Sequence, residues 1–158
     1  MDASRISFGE MVAAASGAAL LLFMFFPWYG FGGKSVEVPG SGTISTPGAD
    51  MNAWEALSVI DLVLFLVVVL AIAGAVARGA DAMPTELPAP PATIVLAAGA
   101  IAVLLVLYRI LDVPRAELEG FENGRKIGIF LALLASGGIA FGGYAAKHEL
   151  TRRGSRRR

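Results

Sequence analysis

The stretch ALSVIDLVLFLVVVLAIAGAVA, residues 56–77, carries a single charged side chain, Asp61. A helix needs about 20 apolar residues to cross a hydrocarbon core of ~30 Å, so a run of this length reads as a membrane span. Three further runs repeat the pattern: Met11 to Tyr29, Thr93 to Tyr108 and Ile127 to Ala146. The third is the shortest and extends through Ile110 and Leu111 once Arg109 snorkels toward water. Together they predict an all-α membrane protein: a bundle of four transmembrane helices over about residues 8–29, 55–78, 92–112 and 126–147.

At 158 residues, 56% of them apolar and with a mean hydropathy of +0.67, the chain has no material left for a separate soluble domain. Residues 1–150 read as one transmembrane domain and 151–158 as a basic cytoplasmic tail. Cysteine is absent, which excludes disulfides, thiolate metal sites and a cysteine nucleophile. The single histidine, His148, stands alone beyond the last span, so no metal site and no cofactor is expected. Glu117, Glu119 and Glu122 have no histidine or cysteine partner, and the chain reads as non-enzymatic.

The first run is not a secretory signal, because it ends in Phe25-Phe26-Pro27-Trp28-Tyr29 with no small-residue cleavage pattern after it. Indole and phenol rings favour the headgroup level, so Trp28, Tyr29 and, before the second span, Trp54 read as interfacial anchors. Ser7 with Glu10, and Asn52 with Glu55, have capping-box spacing and mark two helix starts. Between Gly30 and Met51 the alternation Ser35-Val36-Glu37-Val38, then Pro39-Gly40-Ser41-Gly42, then Thr43-Ile44-Ser45-Thr46, resembles a short β-hairpin in an extracytoplasmic loop. Four prolines, Pro84, Pro88, Pro90 and Pro91, stiffen the second connection up to the third helix.

Four spans put both termini on one side, and the distribution of basic residues chooses the cytoplasm. Arg5, Arg78, Lys147 and the tail residues Arg152, Arg153, Arg156, Arg157 and Arg158 then lie inside, against Lys34, Arg109, Arg115, Arg125 and Lys126 outside. The tail anchors topology beside anionic lipid. It has no interleaved aromatic residues, and nucleic acid is not an expected partner.

Asp61 and Arg109 need a partner, since an ionised group at membrane depth costs several kcal/mol unless paired or wetted. The second helix enters where the third leaves, which puts the two at comparable depth and predicts an intramembrane ion pair. Two alternatives stay open: Arg109 pairs locally with Asp112, or Asp61 serves as a proton or cation site in a small transporter or channel. At the opposite end, Glu10 and Lys147 lie close enough in depth to pair. In the fourth run Gly138 and Gly142 have the spacing that lets helix backbones approach closely. Docking against Ala15, Gly17, Ala18 and Ala19 of the first run is the economical use of that face, and homo-oligomer formation is the alternative.

Phe25-Phe26-Pro27-Trp28-Tyr29 at the end of the first run and Asn52-Ala53-Trp54-Glu55-Ala56 before the second resemble uncharacterised small four-span integral membrane proteins of actinobacteria and related high-GC bacteria. Ten arginines to three lysines agree with such a genome. The resemblance implies a multi-pass plasma-membrane protein and transfers no catalytic residue. The layout is also similar to that of claudin-like proteins, without their paired extracellular cysteines. The expected role is a structural or accessory subunit, with the lipid bilayer and a membrane protein or a second copy as partners.

Overall fold

Ser7 starts the first helix as the spacing predicts: its Oγ accepts the Glu10 amide at 3.2 Å, and the Glu10 carboxylate accepts the Ser7 amide at 2.9 Å. The computed structural model describes residues 6–33, 35–40, 42–45, 47–55, 59–82, 87–112 and 123–155. Within them lie four helices: α1 (Phe8–Phe23), α2 (Val59–Gly79), α3 (Pro91–Leu111) and α4 (Ile127–Ser155). The last three are long and apolar enough to cross a membrane by length and composition, whereas α1, with 16 residues, falls short.

The expected first span, 8–29, is corrected at its far end. After Phe23 the backbone tightens, with Phe25 N–H donating to Leu22 O and Phe26 N–H to Phe23 O. Pro27 then brings a ring and no amide, which a helix cannot accommodate. The chain instead becomes a strand, β1 (Pro27–Phe31). Trp28 and Tyr29, expected as interfacial anchors, are strand residues with no exposed surface.

Beyond a predominantly helical fold there is thus a small sheet. The 30–51 loop folds into β2 (Ser35–Val38) and β3 (Gly42–Ser45), paired antiparallel from Ser35 opposite Ser45 to Val38 opposite Gly42. Gly40 and Gly42 take positive φ at this turn, where a side chain would be strained. Ser41 and Thr46 of the expected hairpin lie outside the described residues. The loop's two ends do something the alternation does not announce. β1 pairs antiparallel with β4 (Ala49–Asn52) on one side and with β5 (Asn123–Arg125) on the other, giving the order β4-β1-β5. Tyr29 lies opposite Met51 and Arg125.

Asn52 and Glu55 exchange the reciprocal bonds of a capping box, at 2.8 and 2.9 Å. Ala56, Leu57 and Ser58, expected to open the second helix, lie outside the described residues. Pro91 opens α3 as its first residue, where its missing amide has no partner to lose. The α4 backbone continues without a break to Ser155, into the segment expected as a basic tail, and 156–158 lie outside the described residues.

Helices adjacent in the chain pack together, and α1 closes the ring against α4. Glycines make α4 the helix that others approach. A methyl group at Gly142 would stand 2.5 Å from the Ala13 amide nitrogen, and one at Gly143 2.5 Å from that of Leu96. Gly138 faces Ser16 of α1, and Gly99 of α3 returns the contact against Ala140. The Gly138–Gly142 face is therefore occupied by α1 inside one chain.

Candidate functional site

Four helix ends meet at the sheet: α1 and α3 leave there, and α2 and α4 enter. Asp61 sits in the first turn of α2 and Arg109 in the last turn of α3. Each charge faces the pole of its own helix that suits it, the carboxylate at an N-terminus and the guanidinium at a C-terminus. Arg109 Nη2 donates to Asp61 Oδ2 at 3.1 Å, with both side chains buried (9% and 1% exposed). At the same helix end, Asp112 Oδ2 accepts the Tyr108 hydroxyl at 2.8 Å.

The sheet closes over this pair. Tyr29, the middle residue of the central strand, donates its hydroxyl to the carbonyl of Arg109 at 3.0 Å, tying β1 to the end of α3. Burial pushes the Tyr29 phenol above its ordinary value, with the Arg109 guanidinium pulling the other way. Trp28 Nε1 donates to Phe23 O at 2.8 Å, closing the α1 terminus. On the far strand, Arg125 Nε donates to Ile110 O at 2.5 Å. Lys126 pairs with Asp50 of the β4 strand at 3.0 Å. Trp54 is half-buried in the turn before α2, its ring between Phe25 and Phe65 with centroids 5.8 and 5.7 Å away.

At the other end, Glu10 in the first turn of α1 meets Arg78 in the last turn of α2 at 2.9 Å. The pattern is the same as for Asp61 and Arg109: an acid at one helix start joined to an arginine at a neighbour's end. The sequence puts Glu10 and Lys147 at comparable depth and offers Arg78 as a topology charge; the structure joins Arg78 to Glu10. The available signal was that Arg78 closes its helix on the side where Glu10 opens another. Glu10 also borders a cavity of ≈ 20 Å³ with Ala13, Ala75, Ala92 and Gly142, large enough for about one water.

Between the ends, Ser136 is the one buried polar side chain among the described residues, and its hydroxyl donates to the Ala132 carbonyl one turn back at 2.8 Å. Among the described residues no other buried polar side chain lies between Asp61 and Glu10. Nor do three His, Cys, Asp or Glu side chains gather at metal-binding range among the described residues. Glu117, Glu119 and Glu122 lie outside them. Compared with known proteins, the chain matches no family model, no curated protein and no solved structure.

Proposed function

We propose that this chain is a four-span integral protein of the plasma membrane, a non-enzymatic structural or accessory subunit with both termini in the cytoplasm. Its sheet and hairpin form the extracytoplasmic face offered to a partner. The membrane part of this reading rests on the outward surfaces of the helices. Phe8, Met11 and Leu22 on α1, Leu62, Leu66 and Val69 on α2, Ile101 and Leu104 on α3, and Leu134 and Phe141 on α4 are all exposed. Apolar surface on every side of a bundle suits lipid and not water. α1, about 24 Å long, crosses where the bilayer thins around a short apolar segment.

The observation that carries the structural role is the Asp61–Arg109 pair beneath the sheet. Its groups hold two helix ends and, through Tyr29, a strand. A transporter site would instead be reached by a polar path from both sides. Asp61→Asn in purified, reconstituted protein tests the reading: lower thermal stability with unchanged proton and cation flux is expected, and an altered flux overturns it in favour of a transporter or channel. A reporter fused after Arg158 tests orientation, and activity on the extracytoplasmic side reverses it.

A further inference from the structure

The helices do not end together on the sheet side. Gly17 of α1 stands against Ala71 of α2, Gly142 of α4 against Ala13, and Gly99 of α3 against Ala140. Carried along the helices, these contacts put Phe23, the last residue of α1, level with Phe65 of α2, Leu107 of α3 and Ala132 of α4. The other three helices run on past that level to Val59, Leu111 and Ile127, about 6–9 Å farther. At the opposite end Glu10 meets Arg78, and the start of α1 is flush with the end of α2 and the start of α3. The whole shortfall of α1 therefore lies on the sheet side.

We propose that the leaflet on the sheet side is thinned by about 6–9 Å beside α1 and keeps its ordinary thickness beside α3, an inference that rests on the bilayer reading above. The boundary of the hydrocarbon is set at two different heights. On the α1 side the chain passes from Phe23 through one turn into β1, the centre of a sheet whose outer strands, β4 and β5, have open edges among the described residues. Open edges do not occur in hydrocarbon, where unpaired backbone groups find no water to bond. Asp50 and Lys126, paired across this sheet, are about half exposed and likewise belong to water. On the α2 and α3 side apolar surface continues to the helix ends, where Val59 and Leu111 are each 79% exposed. These two helices have 21 residues each, about 30 Å, the ordinary hydrocarbon thickness. Snorkelling cannot close the gap at α1, because its last turn has no basic side chain and Phe25 and Phe26 follow. The lipid that fits against α1 is a phospholipid with shorter acyl chains than its bulk neighbours.

The chain has no cysteine, so single nitroxide labels can be placed at Leu22→Cys on α1 and at Leu107→Cys on α3, the helix diagonal to it. Both positions are exposed and lie within about one residue of the same level. Depth is read in dioleoyl phosphatidylcholine vesicles from the relative collision of each label with oxygen and with a nickel chelate. The Leu22 label is expected to lie about 4 Å nearer the headgroups than the Leu107 label, and Phe25→Cys supplies a second α1 site that is expected to be shallower again. Equal depths, or a deeper label on α1, overturn the proposal. Spin–spin broadening at Leu22 overturns it too, by showing a second copy against α1 in place of a thinned leaflet. Labels that both report hydrocarbon at one depth overturn the thinning alone, and a chain that stays in the supernatant on ultracentrifugation without detergent overturns the bilayer reading with it.

Discussion

The two ends of the bundle solve one electrostatic problem in different media. Each joins an acid in a helix's first turn to an arginine in the last turn of a neighbour: Asp61 to Arg109 beneath the sheet, Glu10 to Arg78 at the opposite end. Under the strands both partners are removed from solvent, while Arg78 keeps 28% of its side chain exposed. The same pairing rule therefore has unequal weight. An ion pair near solvent contributes little because its charges are well hydrated when separated, and a buried one matters chiefly because neither half tolerates losing the other.

The largest effect expected is at the covered end. Asp61→Ala leaves the Arg109 guanidinium buried without that carboxylate and should destabilise by about 3–5 kcal/mol, whereas Arg78→Ala should cost at most about 1 kcal/mol. Detergent-phase unfolding of the two variants measures both, and equal losses would erase the distinction between the ends. Replacing both covered partners, as Asp61→Leu with Arg109→Met, should recover much of the single-variant loss, since apolar residues of similar volume need no partner.

Backbone packing, by contrast, should not differ between the ends. A methyl group at Gly128 would stand 2.5 Å from Pro27 O at the sheet, and one at Gly142 2.5 Å from the Ala13 nitrogen at the other end. Gly128→Ala and Gly142→Ala should each destabilise by about 1–3 kcal/mol through overpacking. A large loss at one and none at the other would mean that one end is loosely built.

Smaller again is the strand-to-helix bond: Tyr29→Phe should lose about 1 kcal/mol at neutral pH. Because burial raises the Tyr29 value above the ordinary 10.0, the folded form keeps its proton where the unfolded chain has begun to release it. That contribution is complete below pH 10 and declines as pH rises past it. Melting curves between pH 9 and 11 should therefore fall more steeply for the native protein than for Tyr29→Phe. The smallest effect belongs to the hairpin, where the Ser35 and Ser45 hydroxyls meet at 3.0 Å on an exposed surface. Their joint replacement by alanine should change stability by no more than about 0.5 kcal/mol.

How far the sequence can be read follows from where each signal sits. The helices are legible because hydrophobic runs are local, and the approach of Asp61 to Arg109 is legible because consecutive antiparallel helices bring one start beside one end. The capping pair at Ser7 and Glu10 is likewise a matter of three residues. Trp28 and Tyr29 are different. An aromatic pair after an apolar run fits a headgroup belt as well as a buried strand, and the decision lies with β4, some twenty residues on, and β5, nearly a hundred on. Asn123-Gly124-Arg125 has no strand pattern of its own and becomes one only because β1 offers an edge. The Glu10–Arg78 pair is harder to read, because depth along the bundle follows from the sequence and the order of helices around it does not.

The position of α4 bears on how the polypeptide is assembled as it is made. α1 has its tightest backbone contacts with α4, the last of the four described helices to be made, and the strand that follows α1 is completed only by residues immediately before that helix. Until Ile127 and its successors emerge, the Gly9, Ala13 and Ser16 side of α1 lacks the helix it packs against. Chains truncated ahead of α4 should consequently lack the helix that α1 packs on and be degraded, so that α4 acts as a checkpoint on folding.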